Sequence, residues 1–284
     1  MNKTLLYAGI IGTLTIVGCT NLTNSVRTPA FPPPSNTEEV DLTTDSSFDY
    51  QDYAEVLQTY VSDRGLVDYT GLQANRKQLD RFNRSLGEVS PETYASWNEA
   101  EKIAFLSNAY NAFTLQSIID RNPLEDSIRD IKGVWNRRKF NLVGEEKTLD
   151  NIEHDILRRE FNEPRIHVAL VCAAMSCPPL RNEPYLGEKL DAQLEDQTTK
   201  FANSIHGFDL NRQDNEVYLS SIFKWYGKDF IKTYGIDNKF DGNEQQRAVL
   251  NYFSTHLDSQ ARQFLEENDY RVKYLDYDWS LNKQ

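Results

Sequence analysis

The sequence predicts an α+β fold: a single domain in which helices, one of them long, central and buried, pack on a small, mainly antiparallel sheet. Three observations predict it. The longest helical period, Asn98 to Asp120, is apolar most of the way round. Short β-rich runs come in adjacent pairs around polar turns, as hairpins do, instead of alternating with helices as crossovers do. No second linker or repeat interrupts residues 48–284, a length that supports one sizeable core.

The elements follow in order. Residues 50–62 and 74–86 carry helical spacing. Asn98 followed by Glu101 is a capping box that starts the long helix, and Ile103, Leu106, Tyr110 and Phe113 line one of its faces. Its remaining polar stripe, Ser107, Asn108, Asn111 and Thr114, needs hydrogen-bond partners inside the protein. Strands are predicted at 139–143 and 147–149 around Gly144, at 165–172, at 208–210 and 217–219 around a polar turn, and at 271–275. Helices are predicted at 150–161, 187–205, 220–234 and 243–266, with a break near Asp258 in the last. Asp150 with Glu153 three residues on reads as a second capping box. The aromatic and polar density of Tyr277–Asn282 indicates a tail that docks on the domain.

Composition excludes some functions. With 31 Lys and Arg against 43 Asp and Glu, the formal charge is −12 and no basic run is present, so nucleic acid is not an expected partner. The first residues are different. Lys3 precedes an apolar run from Leu5 to Val17 that is too short to span a bilayer, which is the pattern of an export signal. Ile16-Val17-Gly18-Cys19 resembles the bacterial lipobox. That resemblance implies removal of residues 1–18, lipid attachment at Cys19 and a membrane partner held through the lipid, in the bacterial cell envelope. Thr20 follows the Cys, so no inner-membrane retention signal is visible and the outer membrane is favoured where there are two. Cleavage would remove one lysine and no acid, moving the charge from −12 to −13. Residues 19–47 read as the lipidated Cys and a tether stiffened by Pro29 and Pro32-Pro33-Pro34. The tether would span roughly 30 Å as a coil and about 85 Å if fully extended.

Chemistry should cluster around residues 165–181, which hold His167, Cys172, Cys177 and Arg181. As a strand, 165–172 points His167 and Cys172 to opposite faces. Three readings compete for the cysteines: a Cys172–Cys177 disulfide, which the export compartment favours, a buried Cys172 beside a reactive Cys177, and metal ligation, for which C-x4-C lacks the paired close spacing. No cofactor and no metal is invoked. Of the four histidines, His154 lies one turn from Asp150, His206 reads as a helix C-terminus and His256 as solvent face.

Ala104–Phe113, Leu149–His154, Ile166–Arg181, Lys224-Trp225-Tyr226 with Asp229-Phe230, and Tyr277–Asn282 together resemble the domain-of-unknown-function family number 547, in the same order over residues 95–282. The resemblance implies one domain found in bacterial exported proteins and, in plants, behind a leucine-zipper segment. It implies no known reaction. Two functions stay open. One is a thiol-dependent hydrolase or acyl transferase, with Cys177 as nucleophile, His154 or His167 as base, Asn111 orienting or polarising the carbonyl and Arg181 holding an anionic part of the substrate. The other is a non-catalytic envelope module in which His, Cys and Arg form a structural network and a surface binds an envelope protein, peptide or glycan.

Overall fold

A 21-residue helix lies at the centre of the structure because its sequence leaves it no wholly polar face. The computed structural model describes residues 48–284; the predicted signal segment, Cys19 and the tether lie outside the described residues. Four helices lead in: α1 (Gln51–Tyr60), α2 (Tyr69–Ala74), α3 (Lys77–Glu88) and α4 (Pro91–Ser96). The central helix is α5 (Glu99–Ile119). Its predicted capping box is present: Asn98 Oδ1 accepts the Glu101 N–H at 3.0 Å, and Glu101 Oε2 accepts the Asn98 N–H at 2.8 Å. Helices α1 and α3 pack through Tyr53 and Phe82, whose rings stack at 4.6 Å.

A hairpin follows, β1 (Phe140–Leu142) with β2 (Glu145–Lys147), turning at Val143 and Gly144, both at positive φ. That conformation matches the twist of a two-residue hairpin turn. The turn also caps α3, since the Val143 and Gly144 N–H groups donate to the Leu86 and Gly87 carbonyls at 3.0 and 3.1 Å.

Two sequence expectations fail in the next stretch. The Asp150–Glu153 capping box does not form, because Asp150 is itself helical and makes no side-chain cap. Thr148 takes that place: its hydroxyl accepts the Asn151 N–H at 3.1 Å, and Asn151 Oδ1 accepts the Thr148 N–H at 3.1 Å. The helix it opens is a π-helix over Asn151–Leu157, in which the Arg158 N–H reaches the Glu153 carbonyl five residues back, before one α turn, α6 (Arg158–Glu160). The predicted strand 165–172 is also absent. Residues Ile166–Ala169 form a short helix, α7, and residues 170–172 then run on with no strand beside them among the described residues. Buried Asn111 does the work of a neighbouring strand here, donating to the Ala169 carbonyl at 2.9 Å and accepting the Val171 N–H at 2.8 Å.

The remainder comprises α8 (Leu190–Ala202), β3 (Phe208–Asn211), β4 (Glu216–Leu219), α9 (Ser221–Tyr226), α10 (Ile231–Tyr234), α11 (Glu244–Ser254), α12 (Ser259–Glu267) and β5 (Arg271–Tyr274). The predicted helix 220–234 is broken by a 3₁₀ turn at Gly227–Phe230. The break expected near Asp258 is there, and Asp258 caps α12 by accepting the Gln260 and Ala261 N–H groups, both at 2.8 Å. Strands β3 and β4 pair antiparallel and β4 and β5 parallel, in register Val217 with Val272. Among the described residues there are thus two small sheets where one was expected, and the class is α+β as predicted.

Two apolar clusters hold the fold. The larger surrounds α5; the smaller centres on Phe201, Phe223, Phe230 and Phe253, with Phe223 and Phe253 edge-to-face at 4.9 Å. The C-terminal segment threads across the larger one. Main-chain bonds join Met175 N to Ser280 O at 2.8 Å, Asn282 N to Ala173 O at 3.1 Å, Leu281 N to Asp126 O at 3.0 Å and Val67 N to Asn282 O at 2.8 Å. Tyr277 packs against both clusters, and the cleft described next opens at that meeting.

Candidate functional site

The π-helix, the Cys loop, α9 and the C-terminal tail surround a cleft of about 400 Å³. Its walls are aromatic: Trp135, Trp225 and Trp279 with Tyr110, Tyr226 and Tyr277. Trp225 is 46% exposed at the cleft and packs on Tyr277 and Trp279 at 4.9 and 5.8 Å between ring centroids. The docked tail is therefore more than closure of the core, because two of its rings form a wall.

Cys172 and Cys177 both line the cleft and are joined as a disulfide. The Cys172 N–H donates to Cys177 Sγ at 3.0 Å, and the Tyr277 hydroxyl lies 3.2 Å from Cys177 Sγ and 3.3 Å from Cys172 Sγ. His167 also reaches the cleft, so it and Cys172 do not point apart. The strand geometry that separated them is missing.

His167 is buried and stacked on Tyr226 at 4.4 Å. Its Nε2 meets Asp229 Oδ2 at 2.8 Å, and Arg158 donates twice to the same carboxylate, at 2.6 and 3.0 Å. Burial by itself would raise Asp229, but hydrogen bonds from His167 and Arg158 outweigh it and hold the carboxyl well below the usual range. His154 stands at the cleft edge. A guanidinium can only donate, so Arg158 Nη1, 3.1 Å away, makes His154 Nδ1 an acceptor and puts the ring proton on Nε2, which faces Asp150 at 3.9 Å. Burial raises the Asp150 carboxyl.

Glu153 is the residue that sequence reasoning missed. Freed from capping, it turns into the cleft, 8% exposed. Burial, and then the charge of Glu153, push the hydroxyls of Tyr110 and Tyr226 up. Tyr277 is raised by burial first and also feels Glu153. No local signal marked Glu153, because a π-helix shifts its side chains off the 3.6-residue face on which sequence patterns are read.

Two expected site residues are elsewhere. Asn111 is occupied by the Ala169 and Val171 backbone, as Asn108 is by Tyr185, whose carbonyl and N–H it bonds at 2.7 and 2.9 Å. Of the polar stripe on α5, Ser107 Oγ has no hydrogen-bond partner among the described residues. Arg181 does not line the cleft; its guanidinium is captured by Glu183 and Asp196 and donates to the Gln193 carbonyl at 3.3 Å. His256, expected on a solvent face, is packed between α8 and α11, with Nδ1 2.9 Å from Thr199 Oγ1. Among the described residues no group of three or more His, Cys, Asp and Glu is placed to hold a metal ion, and no helix is long and apolar enough to cross a membrane.

The cysteine pair, the π-helix and α5 thus meet in one segment of chain. Residues 94–202 match the family model described as Protein of unknown function, DUF547. The match supports the resemblance read from the sequence. It takes in α5, the hairpin, the π-helix, the Cys loop and α8, and so contributes Tyr110, Glu153, His154, His167 and both cysteines to the cleft. The opposite wall, Trp225, Tyr226, Tyr277 and Trp279, lies outside the matched residues. No curated protein and no solved structure matches the chain.

Proposed function

We propose that this protein is a lipid-anchored component of the bacterial cell envelope, attached through Cys19 and favouring the outer membrane, whose domain binds an envelope peptide or glycan in the aromatic cleft. The anchor rests on Ile16-Val17-Gly18-Cys19 alone. The binding reading rests on one observation: Trp225 stays 46% exposed at a cleft that Tyr110, Trp135, Tyr226, Tyr277 and Trp279 also line. The polar groups proposed for catalysis are otherwise occupied, which favours a His, Cys and Arg network that shapes the cleft. Cys177 is bonded to Cys172, Asn111 to backbone, Arg181 to two carboxylates, and His154 Nδ1 to Arg158.

Tryptophan fluorescence of the purified chain, titrated with soluble cell-wall fragments, tests the binding reading. Saturable quenching that weakens about fivefold in Trp225→Ala is expected, since exposed stacking contributes on the order of 1 kcal/mol. Fluorescence that no wall fragment changes would refute it. Palmitate incorporation lost in Cys19→Ser, with release from the membrane fraction, tests the anchor.

A second reading, thiol-dependent acyl chemistry, is favoured by the presence of Cys177, His154 and His167 in the same cleft. It requires the reduced pair. Cys177 would then attack a carbonyl to form an acyl–sulfur bond, while a histidine passes the thiol proton to the leaving group. Fast alkylation of reduced Cys177, slowed in His167→Ala, is its expected signature.

A further inference from the structure

The cleft lining holds acids and histidines but, among the described residues, neither lysine nor arginine. Asp150 and Glu153 are its carboxylates, and two histidines join them. Glu153 is the unusual member. A carboxylate this deeply buried normally has a cationic partner. Glu153 Oε1 lies 3.9 Å from His154 Nδ1, which is already the acceptor for Arg158 and so brings no proton to the carboxylate. Arg158 is near enough for Glu153 to contribute to raising it, but its guanidinium is bonded twice to Asp229. Arg129, which sits over Trp279 at 5.2 Å, does not line the cleft. Glu153 therefore faces an aromatic cavity with the Tyr110 and Tyr226 hydroxyls as hydrogen-bond partners but without a lysine or arginine of its own.

Ring faces beside a buried carboxylate attract a cation through the quadrupole of the rings and the charge of the acid together. The carboxylate accepts hydrogen bonds as well, which favours a cation that carries N–H donors. We propose that the cleft selects ligands bearing a protonated primary amine, with the ammonium group seated on Glu153 and the rest of the ligand against Trp225 and Tyr277. This deepens the binding reading above and rests on it. A basic side chain of a peptide and a de-acetylated amino sugar share this chemistry, and the test separates them.

Four probes are titrated into the full chain, with tryptophan fluorescence and calorimetry as readouts: acetyl-Gly-Lys-Gly-amide and its Nε-acetylated form, and a glucosamine tetramer and its N-acetylated form. The expected result is that at least one free amine binds about tenfold more tightly than its acetylated twin, as an ion pair and a cation–π contact together allow. The pair that discriminates identifies the ligand as peptide or amino sugar. Glu153→Gln, which keeps the side-chain shape, is expected to abolish the preference, so that free and acetylated forms bind with equal affinity. Equal binding of free and acetylated forms to the wild-type chain, or a preference that survives Glu153→Gln, would overturn the amine inference and leave the binding reading standing. Binding of none of the four overturns the amine inference, and only silence toward the wall fragments as well removes the binding reading. The wild-type comparison decides the matter even if Glu153→Gln does not fold.

Discussion

Replacing Asn111 separates a staple from a ligand contact. Its side chain is 3% exposed and serves two backbone groups that are themselves buried, the Ala169 carbonyl and the Val171 N–H. Asn111→Ala removes both partners at once. Each buried backbone group left without a hydrogen bond costs about 1–3 kcal/mol, and a water entering the new space recovers part of that, so the expected loss is roughly 2–5 kcal/mol. Asn111→Asp should cost at least as much, because it keeps the acceptor for Val171 but sets a carboxylate oxygen against the Ala169 carbonyl. Urea denaturation followed by circular dichroism reads the loss directly, and the melting temperature should fall by about 2–4 °C per kcal/mol in a domain of this size. A loss below about 0.5 kcal/mol, combined with abolished binding in the cleft, would refute the staple and return Asn111 to the role of ligand contact.

Three further outcomes follow from the geometry. Asp229→Asn should cost about 2–4 kcal/mol at neutral pH by stripping His167 and Arg158 of their shared carboxylate. Because the folded carboxyl titrates below its unfolded value, its contribution is complete above about pH 5 and is lost as pH falls toward the folded value. Urea midpoints of wild type and variant should therefore run parallel from pH 5 to 8 and converge only in acid; a gap that instead closed toward pH 8 would contradict the assignment. Peptide mapping after alkylation should find Cys172 and Cys177 modified only after reduction, with a stability loss of about 2 kcal/mol for opening so short a loop. Modification of Cys177 without reductant would favour the free thiol. Gly65→Ala should lose roughly 1–3 kcal/mol, since φ is +75° there and a Cβ would stand 2.5 Å from the Pro179 Cβ. A neutral effect in a thermal melt would count against that close approach.

Part of this molecule was legible one segment at a time. The Asn98–Glu101 box, the break at Asp258, the apolar girth of α5 and the β3, β4 and β5 segments all follow from rules that act within a few residues. The stretch 165–172 failed because Ile, Val, Ala and Leu fit either a strand or a buried turn. Asn111, about 60 residues earlier in the chain, settled it by supplying the backbone partners that a neighbouring strand would have supplied. Glu153 failed for a related reason, since its capping pattern was satisfied by Thr148 and Asn151 instead.

The sequence by itself determined the class of the fold, the length and burial of its central helix, the acidic balance, and the expectation of lipid attachment at Cys19. Those properties are set by composition and by neighbours along the chain. Tertiary structure alone decided the cleft. It joined Tyr110 from α5, Glu153 and His154 from a π-helix, Trp225 and Tyr226 from α9, and Tyr277 and Trp279 from the tail. It also directed Arg181 and Asn111 away from the cleft. Burial makes these choices, because a polar group removed from water takes whichever partner the packed chain brings within reach, and that partner is usually distant in sequence.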